Sequence, residues 1–253
     1  MLKTRIIPSL LIKNEGLVKT LKFSRSTYVG DPINAIKIFN EKEVDELLLL
    51  DIFASRENRG PNYPLIKQIT SECFMPLCYG GGIKNSDQVK KLFGMGIEKV
   101  SLQTTVLNDF NIIEDIASKF GSQSLVVSVD IKKNWLGKHE LYGASSGSKI
   151  RRDWKQYLQD IASAGAGEIL LNSVDNDGTM NGMDLELINN ATDLVDIPII
   201  VAGGVGSLQD LKLAELNGAS AIAVGSFFVF HGPHKAVLIT YPEYKDLQEL
   251  FKH

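Results

Sequence analysis

One stretch of this chain occurs twice. Residues 76–102, PLCYGGGIKNSDQVKKLFGMGIEKVSL, lie over residues 198–224, PIIVAGGVGSLQDLKLAELNGASAIAV. Pro76 falls on Pro198, Gly81 on Gly203, Gly82 on Gly204 and Gly96 on Gly218, each 122 positions on. The segments upstream match too: SLLIK at 9–13 lies over SVDIK at 128–132, an offset of 119. The two offsets differ by the size of a small loop insertion. A repeat of half a chain restricts the fold to one with two equivalent halves, about 1–121 and 122–253, facing each other across a shared site.

The content of each half narrows this further. Short apolar runs recur at 5–12, 46–53, 75–80, 99–103, 125–131, 168–174, 197–203 and 220–226. Continuous apolar runs of this length suit strands buried on both faces, as in a parallel sheet. Helical patterns lie between them. DPINAIKIFNEK (31–42) opens with Asp31 as N-cap and Pro32 at the first helical position. NSDQVKKLFGMG (85–96) and SLQDLKLAELNG (207–218) begin at a polar cap and end in glycine. Eight β–α units predict a single (β/α)8 TIM barrel over 1–253, built from two duplicated half-barrels. A doubly wound sheet is the alternative, but no GxGxxG follows the first strand. The long loops, 13–30 and 132–152, both follow a strand, on the face where such barrels keep their chemistry.

Composition excludes several classes. The formal charge is −3, so no nucleic-acid surface is expected. No apolar run reaches the roughly 18 residues of a membrane span, and no secretory leader is read at the start, which predicts a cytoplasmic protein. Cys73 and Cys78 sit beside a strand and read as reduced core thiols. HGPH at 231–234 reads as a loop rather than a metal site, and no metal or cofactor is expected.

Each half ends one strand in Gly-Gly (YGGGIKN, AGGVGSL) and the next in a small polar turn (SLQTT, VGSFF). Glycines there let backbone N–H groups approach an anion, and a following short helix would point its N-terminus at it. Gly81, Gly82 and Thr104 would form one phosphate cradle; Gly203, Gly204, Gly225 and Ser226 the other. Two cradles imply a phosphorylated small molecule with a phosphate at each end. The bland reading is a pair of tight turns with no ligand.

RIIPSL, DELLLLDIFAS, GGGI with SLQTT, VVSVDIKK, RDW, GAGEILLNSVDNDGT, PIIVAGGVGS and AVGSFF together resemble, nearly end to end, the HisF-type cyclase subunits of imidazole glycerol phosphate synthase. The resemblance implies a barrel that docks a HisH-like glutaminase as a heterodimer on its N-terminal face. Ammonia released there would pass through the barrel and react with the bis-phosphorylated substrate PRFAR, giving imidazole glycerol phosphate and AICAR. That chemistry uses two aspartates as general acid and base. Asp130 matches the second; the first falls on Leu11, which carries no proton. Asp51, Ser55 and Glu15 are the neighbours able to take over. Family members also usually have cysteine where this chain has Ser9. Lys19 matches a substrate-side loop lysine, and Asp175, Asp177, Gly178 and Thr179 match the loop after strand six. Arg5, Glu46, Lys99 and Glu168 match a ring of charges that gates the ammonia path.

A conduit kept beside half an acid–base pair points to a diverged branch. Such a barrel would work with a glutaminase and a separate sugar amidotransferase, delivering ammonia for amidation in surface-glycan synthesis. The charged stretch SRENRGPNYP (55–64) suits a different ligand. The alternative is the histidine-pathway cyclase itself. A glutaminase-activating scaffold and a single-chain isomerase are weaker readings, and Leu11 also counts against the isomerase.

Overall fold

A computed structural model describes residues 4–252. Eight parallel strands form the barrel: β1 (Arg5–Lys13), β2 (Leu47–Asp51), β3 (Leu77–Gly80), β4 (Lys99–Leu102), β5 (Leu125–Lys133), β6 (Glu168–Ser173), β7 (Ile199–Ala202) and β8 (Ala221–Val224). Each pairs with the next, and β8 pairs with β1, Arg5 opposite Ala221, so the sheet closes without a free edge. Helices follow the strands and form the outer layer. The caps read from the sequence hold. Asp31 accepts from Asn34 N–H ahead of helix Pro32–Glu41, Asn85 accepts from Gln88 N–H ahead of Ser86–Phe93, and Ser207 forms a capping box with Asp210 ahead of Leu208–Leu216.

Side chains alternate along each strand, so every second residue points into the barrel. On β1 these are Arg5, Ile7, Ser9 and Leu11. They sample the interior from bottom to mouth. Charge sits at the strand starts. Above it lies an apolar layer containing Ile7, Leu48, Cys78, Val126, Leu170 and Ile200. Polar groups and glycines sit at the strand ends. Cys73 and Cys78 are both free thiols. HGPH falls in the turn of a small hairpin, Phe230–His231 with Ala236–Val237. No described helix is long and apolar enough to cross a membrane.

The two long loops contain strands of their own. After β1 the chain turns at Asn14-Glu15 and forms an antiparallel hairpin, Gly16–Leu21 with Arg25–Gly30, whose first strand extends the pairing of β1. After β5 it does the same with His139–Gly143, followed by the short Ser148–Lys149. β1 and β5 are both nine residues long, which leaves a protruding end for each hairpin to pair with. The hairpin at 16–30 turns through Lys22 and Phe23, both with positive φ (52° and 56°). These are not the Asn or Gly such turns favour. External hydrogen bonds hold the turn: Lys22 N–H donates to the Asp177 carbonyl at 3.0 Å, and Phe23 N–H to Asp177 Oδ2 at 3.3 Å.

Candidate functional site

The strand ends and the two hairpins enclose a cavity of about 190 Å³ at the C-terminal mouth. Leu11, Lys19, Gly81, Gly82, Thr104, Asp130, Asp177, Gly178, Gly203, Gly204, Gly225 and Ser226 all line it. One cradle follows β3 and β4 and the other β7 and β8, so they face each other across the barrel. Asp175 and Thr179 lie outside this wall. Asp175 Oδ2 accepts the Lys133 N–H at 2.7 Å, and Thr179 Oγ1 donates to the Asn176 carbonyl at 2.8 Å. Both bonds brace the loop after β6.

The glycines of the cradles have a second reason to be glycine. Gly81 and Gly82 have φ of 119° and 72°, and Gly203 and Gly204 have 97° and 104°. A Cβ on Gly81 would strike the Asp51 backbone; on Gly203 it would come within 2.7 Å of the Ser173 carbonyl. Asp51 ends β2 and Ser173 ends β6. In both halves the Gly-Gly turn therefore lets the preceding strand's loop tuck beneath it.

Asp130 is 3% exposed. Burial lifts its carboxyl to about 7, against a hydrogen bond from Gln103 that favours the charged form, with nearby Asp177 adding to the rise. Asp177 is itself raised, chiefly by burial, although Thr20 Oγ1 donates to it at 2.7 Å. Lys19 projects from the first hairpin and is 4% exposed. Desolvation lowers its ammonium to about 8, partly offset by Asp177. Its Nζ donates to the Ser9 carbonyl, and a Cβ on Gly225 would lie 3.2 Å from it. A lysine of the first half thus reaches the second half's cradle, and Gly225 leaves room for it.

Leu11 pairs in register with Leu50, as Asp130 pairs with Asn172. Around Leu11 the first half places Leu48, Leu50 and Phe53 at the cavity, with Ser9, Asp51 and Ser55 as polar neighbours. None of the neighbours replaces the missing acid at this point. Asp51 lines the cavity, but its Oδ1 accepts from Phe53 N–H at 3.1 Å and Ala54 N–H at 3.0 Å, and Arg59 pairs with its Oδ2 at 3.1 Å. Glu15 is exposed on the rim and accepts from Asn62 at 3.2 Å. Ser55 faces the cavity, but a serine is a poor acid or base at neutral pH.

Gln103, a cavity residue the sequence reading did not single out, binds Asp130, and Arg56, of the charged stretch 55–64, bridges from the loop after β2 to Ala144. Ser101 Oγ and Asn172 Oδ1 are buried with no hydrogen-bond partner among the described residues, on side chains that line the cavity. Buried polar atoms are rarely left so, and these two suit a polar ligand.

At the opposite end, Arg5, Glu46, Lys99 and Glu168 form a closed ring of alternating charge. Arg5 pairs with Glu46, and with Glu168 at 2.8 Å; Lys99 pairs with Glu46 at 3.1 Å and Glu168 at 3.3 Å. Cys78 lies near this ring, and burial drives its thiol well up.

A closed (β/α)8 barrel with glycine turns and a buried carboxyl at its mouth and a ring of charge on its floor defines the class of architecture. The chain belongs to the histidine biosynthesis protein family, whose model matches residues 5–234, and within it is HisF-like. It is 52% identical over 248 residues to a Pseudomonas aeruginosa protein provisionally named imidazole glycerol phosphate synthase subunit hisF2, covering 98% of this chain and 99% of that one. It is 47% identical over 253 residues to a Leptospira interrogans protein, also provisionally named as subunit HisF, covering 99% and 100%. It is 40% identical over 230 residues, 91% of each chain, to imidazole glycerol phosphate synthase subunit HisF of Dictyoglomus thermophilum.

Proposed function

We propose that this chain is an ammonia-using HisF-type subunit that pairs with a glutaminase and has weak cyclase activity or none. Its ammonia would serve amidation of a sugar in surface-glycan synthesis, handed to a separate amidotransferase. The observation that carries the reading is Leu11. The position equivalent to Asp130 carries an alkyl group where the two-aspartate chemistry needs a second proton carrier.

The remaining parts fit an ammonia conduit. Arg5, Glu46, Lys99 and Glu168 would gate the floor, where a glutaminase would dock. The apolar layer above would pass a neutral molecule such as ammonia more readily than ammonium, since burying an unpaired charge is costly. Lys19 and the two glycine cradles would hold a phosphorylated ligand at the mouth, with the Asp130 carboxyl, near 7, able to give or take a proton at neutral pH.

The second reading is the histidine-pathway cyclase converting PRFAR and ammonia to imidazole glycerol phosphate and AICAR. The names of the HisF relatives favour it. Deleting the chain from its own cell separates the two. The proposal expects growth without added histidine and loss of amide groups from the surface glycan. A histidine requirement with an unchanged glycan would contradict it.

A further inference from the structure

One side chain joins the Asp130 carboxyl to the loop beyond the β5 hairpin. Gln103, the first residue past β4, donates from Nε2 to Asp130 Oδ2, and its Oε1 accepts the Ala144 N–H at 3.3 Å. The same Ala144 peptide is gripped on its carbonyl by Arg56, through Nε at 3.0 Å and Nη2 at 2.7 Å. Arg56 comes from the loop after β2, in the other half of the barrel, and its guanidinium stands 5.7 Å from the centre of the Phe53 ring. The chain of contacts therefore runs from an exposed arginine, through one peptide unit and one amide, to a buried carboxyl.

The polarity of this chain is fixed. A peptide N–H only donates, so the Gln103 end facing Ala144 must be the oxygen, and the end facing Asp130 must be the donor. A donor aimed at a carboxylate favours its charged form, whereas burial favours the neutral acid. We propose that Gln103 is a positioning residue that holds the Asp130 carboxyl in one orientation and stabilises its charged form, anchored by the Ala144 peptide that Arg56 clamps. The consequence for catalysis rests on Asp130 being the acid–base group proposed above; the positioning does not.

The other groups around Asp130 do not substitute for Gln103. Asn172, in register on β6, carries the same amide but makes no hydrogen bond to Asp130 among the described residues. Tyr142, in register on the hairpin, lies tilted against Phe23 and under Lys132, whose Nζ stands 5.2 Å from the ring centre. Asp177, from the loop after β6, opposes the charged form. Lys19, from the first hairpin, acts on Asp177, favouring its charged form, and is held by the Ser9 carbonyl. Leu11 contributes no charge.

The test is a carboxyl titration by NMR of the full chain labelled with 13C at aspartate side-chain carboxyls, without substrate. The Asp130 signal is identified by its loss in Asp130→Asn. Gln103→Leu, similar in size, should raise the Asp130 midpoint by about one unit, a roughly tenfold tighter hold on the proton. A midpoint equal to that of the natural protein would overturn the proposal, whatever happens to stability, since a packing role would change the melting temperature alone. If Gln103→Leu does not fold, Arg56→Ala, a surface change, decides on the same criterion: an upward shift supports the proposal and an unchanged midpoint overturns it. Because no substrate is present, the result is independent of whether the functional reading above survives.

Discussion

At the scale of single residues, the account turns on two equivalent positions with opposite chemistry. Asp130 is an acid held near 7 by burial, and Leu11 is an alkyl group. The raised carboxyl has a stability consequence. The folded chain keeps a proton that the unfolded chain releases above about pH 4. The stability contributed by that proton is full below pH 4 and is lost as pH rises through about 7. Asp130→Asn should therefore be more stable than the natural protein at pH 8, by up to about 4 kcal/mol, with the gap closing toward pH 4. Denaturant melts at the two pH values check this. Lys19 gives the opposite kind of handle. Its ammonium is lost as pH rises through about 8, so phosphate binding at the second cradle should weaken over that range. Lys19→Met should bind more weakly at pH 7 and lose that dependence, as read by calorimetry with inorganic phosphate.

At the scale of elements, the strands and helix caps were legible because apolar runs and capping residues are local signals. The hairpins were not. The turn at Lys22-Phe23 lacks the glycine or asparagine that marks such turns, and it is held by Asp177, over 150 residues away in sequence. The Gln103–Ala144–Arg56 contacts were hidden for the same reason, since they exist only once the loop after β5 folds back. The cradle glycines were visible, but their close approach to the Asp51 and Ser173 backbones was not. Asp175 and Thr179 were visible as a motif, but their bonds to Lys133 and Asn176 were not. Asp177→Ala should free the hairpin at 16–30 without unfolding the barrel. Hydrogen exchange should show Val18, Lys19 and Thr27 amides exchanging faster while β5 keeps its protection. Equal protection in both proteins would mean that strand pairing alone holds the hairpin.

At the scale of the molecule, charge closes the barrel floor and the cradles and hairpins build the mouth. Glu46→Gln leaves Arg5 and Lys99 to share Glu168 alone and should destabilise the protein, measurable by chemical denaturation; in the proposed complex it should also weaken coupling to the glutaminase. The duplication, read from sequence, also makes a proposal about assembly: fragments 1–121 and 122–253 should form a stable barrel only together, because each leaves open strand edges alone. The most direct measurement of the central claim is turnover of PRFAR at saturating ammonium by this protein and by Leu11→Asp. The account predicts a natural protein with little or no turnover and a gain in Leu11→Asp on the order of 10²-fold or more, the scale of one acid–base group. Brisk turnover by the natural protein, unimproved by Leu11→Asp, would contradict it.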